Sequence, residues 1–179
     1  MKLSSAPRLI GATAALLLAL TGCTAVTTPD ATPEPVAATD ASTLTISDAW
    51  VKSAPDGMSA AFGMLMNDSD HEVNIVSATS SASEMVELHE TVESESGTMV
   101  MRPKEGGFVI PAGGMIELAP GSNHIMLMGL TAPILAGDDV DFTLTLSDGS
   151  TFDFTAPGKD FTGANENYVG TMPGMGSGN

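Results

Sequence analysis

The sequence predicts an all-β domain, an antiparallel β-sandwich or barrel, over residues 43–157. Short runs of alternating apolar and polar residues recur about every ten residues, and Gly, Pro, Asn and Asp separate them. The clearest example is a hairpin at the end of the domain. Its apolar side chains alternate through residues 140–146 before a Ser-Asp-Gly-Ser turn at 147–150. No convincing helix or internal repeat interrupts this pattern.

The N-terminus reads as a bacterial lipoprotein signal peptide, residues 1–22. Lys2 and Arg8 form a short basic region, and residues 9–20 are an apolar run too short to span a bilayer comfortably. Leu-Thr-Gly-Cys then matches the site at which signal peptidase cuts before Cys23. We therefore expect a lipidated Cys23 that holds the protein outside the cytoplasm, on the outer face of the cell membrane or in the periplasm. Because Cys23 is the only cysteine, no intramolecular disulfide can form.

Two segments flank the predicted domain. Residues 23–42, rich in Thr, Ala and Pro, predict a flexible tether between the lipid and the domain. Residues 158–179 are rich in Gly and Asn and predict a mobile tail. The tail carries Met172 and Met175, which are either accessory metal ligands or chance composition.

The chain is strongly acidic, which narrows the classes of partner. It has 22 acidic residues against 6 basic ones, a formal charge of −16. Such a charge argues against nucleic-acid binding and against adsorption to anionic lipid by charge. Membrane attachment would therefore come from the lipid on Cys23.

Histidine and methionine are concentrated between residues 85 and 130. If the segment from His124 is a strand, alternation places His124, Met126 and Met128 on one face and the intervening Ile125 and Leu127 on the other. Thioether sulfur is a poor ligand for zinc, calcium or magnesium and a good one for Cu(I). The residues alone leave two interpretations open: a Cu(I) site, or core-filling methionines beside surface histidines.

The spacing of these residues resembles that of the PCuAC copper chaperones. The shared pattern is a His, a Met about a dozen residues later, and a His-x-Met after a further spacer, here His89, Met101, His124 and Met126. The resemblance covers roughly residues 44–157. It implies a cupredoxin-like Greek-key fold, Cu(I) bound by those four residues, and delivery to the copper subunit of cytochrome c oxidase or to a thiol-bearing assembly factor.

The chain departs from that pattern at two points. Glu90 stands where many members carry a second Met, and the spacer before His124 is one residue longer than the commonest form. Met99 and Met101 both remain candidates for the third ligand, because alternation places them on the same face. Met128 and whichever of the two does not bind would cover the site or act as a weak extra ligand.

Other methionines and the third histidine have plainer interpretations. Met64, Met66 and Met85 are expected in the core, and His71, in an acidic turn, is expected to be a solvated loop residue. The acidic residues near His89, Glu87 among them, are expected to form a solvated edge.

The sequence also limits the functional classes. No catalytic triad order, carboxylate pair or phosphate-binding glycine loop occurs, so we expect a protein that is not an enzyme. A blue-copper electron carrier needs a Cys thiolate on the metal, and Cys23 is assigned to the lipid. Two alternatives to a chaperone remain: a metal-independent, lipid-anchored interaction module, and a copper store with no specific acceptor.

Overall fold

The computed structural model describes residues 39–163 and 167–168. The predicted signal peptide, Cys23, most of the tether, and Met172 and Met175 lie outside these residues. Within them, no helix has the length and apolar character needed to cross a membrane.

The described residues are almost entirely β-strands. One short 3₁₀ helix, Asp40–Thr43, comes first. The strands that follow, in chain order, are β1 Leu44–Lys52, β2 Met58–Asn67, β3 Val73–Ser80, β4 Ser83–Glu93, β5 Met99–Pro103, β6 Phe108–Ile110, β7 Met115–Leu118, β8 His124–Leu130, β9 Asp139–Leu146, β10 Thr151–Lys159 and β11 Asn167–Tyr168.

Seven of the strands close into a barrel. Their order around it is β4-β8-β2-β1-β10-β9-β3, and a pairing of Ser80 with Ser83 returns from β3 to β4. The four remaining strands pair outside this ring: β5 with β4, β6 with β3, β7 with β2, and β11 with β5. The all-β barrel predicted from the sequence is confirmed.

Two strand pairs differ from the antiparallel pattern that the sequence predicts. The first and last strands of the barrel, β1 and β10, run parallel, with Val51 opposite Gly158. β11 also runs parallel to β5. A parallel pair needs a long crossover connection, and nearly the whole domain lies between β1 and β10. Local alternation carries no information about such a distant pairing.

The barrel interior is filled by aliphatic and phenylalanine side chains. The predicted C-terminal hairpin forms as β9 and β10, and Phe142 and Leu144 of β9 are fully buried. Gly149 takes a positive φ of 83° in the turn, a backbone conformation that glycine adopts without strain. Ile125 and Leu127 of β8 belong to this same core, on the face that alternation predicts.

Residues on both sides of the predicted domain, 43–157, also contact the barrel. At the start, the backbone N–H of Asp40 donates to the carboxylate of Asp148, 3.0 Å away, in the β9–β10 turn. At the end, β10 continues to Lys159, and Phe161 packs edge-on against Trp50 with ring centroids 5.3 Å apart.

Met64 and Met66 are not core residues, contrary to the sequence prediction. Leu65 between them is fully buried, so the two methionines point to the outer face of β2, where they are half-buried. Alternation separates Met64 and Met66 from Leu65, but it does not say which of the two faces is buried, and the sequence prediction placed the methionines on the buried face.

His71 lies in an exposed turn, as predicted, where it contacts two carboxylates. Its Nε2 lies 2.9 Å from Asp40 Oδ1, and its Nδ1 lies 3.2 Å from Asp70 Oδ1. Hydrogen bonds to Asp40 and then Asp70 raise the pKa of His71 above 6.5. Because the pKa of His71 is higher in the folded state than in the unfolded state, protonation of His71 stabilises the fold. This stabilisation is complete below the unfolded-state pKa and is lost as the pH rises through the folded-state pKa.

We therefore predict that His71→Gln destabilises the domain in a pH-dependent way. The difference in urea midpoint between the parent protein and the variant should be present near pH ~5.5, where the histidine is charged and the aspartates are ionised, and should vanish near pH ~8.5. Asp40→Asn should remove most of the same pH dependence. An equal difference at both pH values would show that these ion pairs are not the cause.

Candidate metal centre

The candidate site is built on the pairing of β4 with β8. Their antiparallel register sets His89 directly opposite His124. The two imidazole centroids are 5.5 Å apart with an interplanar angle of 69°. His89 is fully buried and His124 is 2% exposed. Two histidines thus share one face of neighbouring strands, shielded from water.

A cluster of methionines adjoins the histidines. Met101, Met126 and Met128 form a buried group of their own, distinct from the main core, and the partly buried Met85 packs against it. The group arises because β8 places its methionines on the face opposite the core, while β5 brings Met101 in along β4.

The structure distinguishes the two methionines that alternation leaves equivalent. Met101 is 6% exposed and belongs to the buried cluster. Met99, nearer the end of β5, is 43% exposed. The strand pair formed by β4 and β5 therefore brings Met101, and not Met99, to the candidate site.

A pocket of about 230 Å³ reaches the site from outside. Met101, His124 and Met126 line it together, so three of the four predicted ligands border one space. Its wall also includes Met58 and Lys52, neither of which was predicted from the sequence to lie near the site. A small ion can therefore approach the nitrogen and sulfur donors from the solvent side.

Hydrogen bonds define which nitrogen of each imidazole carries the proton. His124 Nδ1 donates to the carbonyl oxygen of Ser122, 3.0 Å away, because a carbonyl can only accept. His89 Nε2 donates to the Glu87 carboxylate at 2.8 Å. In the neutral rings the lone pairs then lie on Nε2 of His124 and Nδ1 of His89. These are the nitrogens that could coordinate a metal.

Burial also favours the neutral, coordinating form of His89. Removal from water lowers the pKa of His89 below 6.5, and the hydrogen bond to Glu87 opposes this effect. A neutral imidazole at pH 7 can donate its lone pair to a metal without first losing a proton.

The donor set favours a soft ion. Among residues 39–163 and 167–168, no three His, Cys, Asp or Glu side chains come together in a group that could hold a metal. The available donors are two imidazole nitrogens and the thioethers of Met101 and Met126. Such a set suits Cu(I), whereas Ca²⁺, Mg²⁺ and Zn²⁺ favour oxygen, thiolate or further imidazole ligands.

Comparison with known proteins places the chain in a family. A family model described as "Putative lipoprotein LpqE-like" matches residues 44–158. The chain belongs to the LpqE-like family. A relative from Leifsonia xyli subsp. xyli, "Putative lipoprotein Lxx21020", is 50% identical over 165 residues, which span 91% of this chain and 97% of the relative.

Solved structures share the fold of this LpqE-like protein. The apo PCuAC domain from PmoF1 matches with a TM-score of 0.57 at 15% identity, over 68% of this chain and 98% of that domain. The solution structure of CuI-DR1885 from Deinococcus radiodurans matches with a TM-score of 0.52 at 28% identity, over 67% of this chain and 82% of that one. The PCuAC-type fold implied by the sequence resemblance is thus confirmed.

Two contacts of the site were missed from the sequence. Glu87 was expected to be a solvated edge residue, yet it holds His89. The Glu-x-His spacing could have indicated this, since residues two apart share a strand face. Met58 lies opposite Met128 across β2 and β8, a pairing between distant segments that no local pattern reveals.

Glu90, which replaces a methionine of the PCuAC pattern, has a structural role. Its carboxylate accepts hydrogen bonds from Lys104 at 2.8 Å and from Arg102 at 2.9 Å. The hydrogen bond from Lys104, and to a smaller extent the one from Arg102, lowers the pKa of Glu90, so the carboxylate stays ionised. The Glu90 side chain thus links β4 to Arg102 of β5 and to Lys104, which follows β5. His89 and Met101 are the chain neighbours of Glu90 and Arg102.

We predict that Met101 and Met99 respond differently to substitution by leucine, which keeps the apolar volume. Met101→Leu should weaken Cu(I) binding by about tenfold or more. Loss of a group that only hydrogen-bonds a metal ligand already costs about tenfold in metal affinity, and loss of a ligand should cost at least as much. Met99→Leu should change it by less than about threefold. Competition with a colorimetric Cu(I) chelator under reductant measures both. Equal losses, or a larger loss for Met99→Leu, would contradict the assignment.

Proposed function

We propose that this LpqE-like protein is a lipid-anchored, non-enzymatic Cu(I) carrier that works outside the cytoplasm. The observation that carries the proposal is that the thioethers of Met101 and Met126 line one pocket with His124, while a second buried histidine, His89, lies directly opposite His124. The proposed ligands are His89 through Nδ1, His124 through Nε2, and the sulfurs of Met101 and Met126. Met128 and Met85 would shield the ion from water.

The chemistry of the site suits a protein that releases its metal. All four proposed donors are neutral, so no ligand would add negative charge to the bound ion, and the Glu87 carboxylate contacts the far nitrogen of His89 instead of the metal position. Lys52 also lines the pocket, and its ammonium group donates a hydrogen bond to the carbonyl oxygen of Gly163 at 2.6 Å. A nearby positive charge disfavours tight retention of a cation. Ligand exchange through the open pocket would then pass Cu(I) to an acceptor with stronger donors.

The comparisons support copper as the cargo. The structure of CuI-DR1885 is described as the Cu(I) form of that protein. It matches two thirds of the present chain at 28% identity. The family and the Leifsonia relative both carry the description "Putative lipoprotein", in agreement with an anchor at Cys23. The acceptor proposed here, the copper subunit of cytochrome c oxidase or a thiol-bearing assembly factor, comes from the PCuAC resemblance alone. Met172 and Met175 in the tail stay predicted accessory ligands.

The proposal is tested by Cu(I) titration of the full mature chain carrying Cys23→Ser, which should leave the membrane fraction and keep its copper binding. One tight equivalent is expected, and His124→Ala/Met126→Leu should weaken it by at least about a hundredfold, since two ligands are lost. The matched control is His71→Ala/Met99→Leu, which removes one histidine and one methionine elsewhere. No tight equivalent in the parent protein would favour the metal-independent interaction module.

A second measurement separates delivery from storage. The Cu(I)-loaded protein is mixed with the metal-free copper domain of the oxidase, and the copper content of each is measured after separation. A carrier should transfer more copper to the oxidase domain than it releases spontaneously to a chelator of equal affinity. Copper that stays on the protein would support a store.

A further inference from the structure

Three methionines lie together on the outer surface of the barrel, away from the candidate site. In the pairing of β2 with β7, Met66 stands directly opposite Met115, and Met64 stands opposite Glu117. Side chains of directly opposed residues project from the same face of a sheet. Met64, Met66, Met115 and Glu117 therefore form the four corners of one surface patch, which we call the outer methionine patch.

Core packing does not account for these methionines. Leu65 is fully buried and Leu118 is 3% exposed, so the alternate residues of both strands face the interior. Met115 is 57% exposed, and Met64 and Met66 are half-buried. The outer face of such a sheet is normally polar, as it is along the neighbouring edge, where Thr45 and Ser47 of β1 are exposed.

The spacing allows the three sulfurs to converge. Opposed residues in an antiparallel pair have Cβ atoms about 4.5–5.5 Å apart, which applies to Met66 and Met115. Met64 is one pleat repeat away from Met66, about 6.8 Å along the strand. Methionine has three rotatable side-chain bonds and a polarisable sulfur, so it adapts to a shared ligand.

Charge around the patch also favours a cation. The exposed carboxylate of Glu117 occupies the fourth corner. The basic residues of the described part of the chain lie elsewhere: Arg102 and Lys104 contact Glu90, while Lys52 and Lys159 sit together at the paired ends of β1 and β10.

We propose that the outer methionine patch is a second, solvent-facing site for a soft monovalent cation, Cu(I) or its redox-stable analogue Ag(I). Three neutral thioethers and one carboxylate supply the ligands. Without imidazole and with less burial than the pocket, this site binds more weakly. Loading of the patch needs no redox step, because the ion enters and leaves as Cu(I).

The patch and the pocket cannot share one ion. Met126 of the pocket stands opposite Ala60 on β2, and Met64 is four residues further along that strand, about 13 Å. Two ions would therefore bind independently. The patch could collect copper outside the pocket, and the failure of either site leaves the other testable.

The test uses Ag(I) titration of the mature Cys23→Ser chain with ¹³C-labelled methionine methyl groups, observed by NMR. In the His124→Ala/Met126→Leu background, the methyl signals of Met64, Met66 and Met115 should shift together as one equivalent binds. The triple variant Met64→Leu/Met66→Leu/Met115→Leu should weaken that equivalent by at least tenfold. The control Met99→Leu/Met172→Leu/Met175→Leu removes the same number of methionines, including the two predicted accessory ligands of the tail, and should keep the equivalent that shifts the patch signals.

Two outcomes would overturn the proposal. The patch methyl signals could stay unmoved through two equivalents of Ag(I), or the control triple variant could lose the weak equivalent while the patch variant keeps it. Unchanged urea midpoints in both triple variants would show that any loss of binding is not a loss of fold. Loss of the tight equivalent alone in His124→Ala/Met126→Leu, with the patch signals still shifting, would support two independent sites.

Discussion

The register between β4 and β8 is the constraint on which the rest of the site depends. It places His89 opposite His124, and the same alternation sends Ile125 and Leu127 into the barrel core. A slip of one residue would turn the histidines toward the wrong face and expose the aliphatic residues. The core therefore fixes the site: the free energy of burying the aliphatic face holds the two imidazoles 5.5 Å apart.

The neighbours of this strand pair complete the chemistry. β5 flanks β4 and contributes Met101, while β2 flanks β8 and contributes Met58 and the pocket wall. Hydrogen bonds from His124 to Ser122 and from His89 to Glu87 set the proton positions before any metal arrives. The proposed site would therefore need little rearrangement to take up an ion, and its neutral donors would limit how tightly the ion is held.

Local alternation predicted much of this arrangement, and its failures share one cause. The shared face of His124, Met126 and Met128 follows from period-two alternation within a single strand. The choice between Met101 and Met99, the pairing of Met58 with Met128, and the parallel closure of β1 with β10 all depend on contacts between distant segments. The prediction that Met64 is a core residue fails for the same reason. Alternation separates the two faces of β2, but contacts with distant strands decide which face is buried.

X-ray absorption spectroscopy of the protein loaded with one equivalent of Cu(I) tests the central claim most directly. It reports the type and number of atoms bound to the metal. The account predicts a mixed first shell with two nitrogen ligands from imidazoles and two sulfur ligands from thioethers. A shell of sulfur alone, or of nitrogen and oxygen without sulfur, would contradict it, because neither can arise from the paired histidines and the methionines beside them.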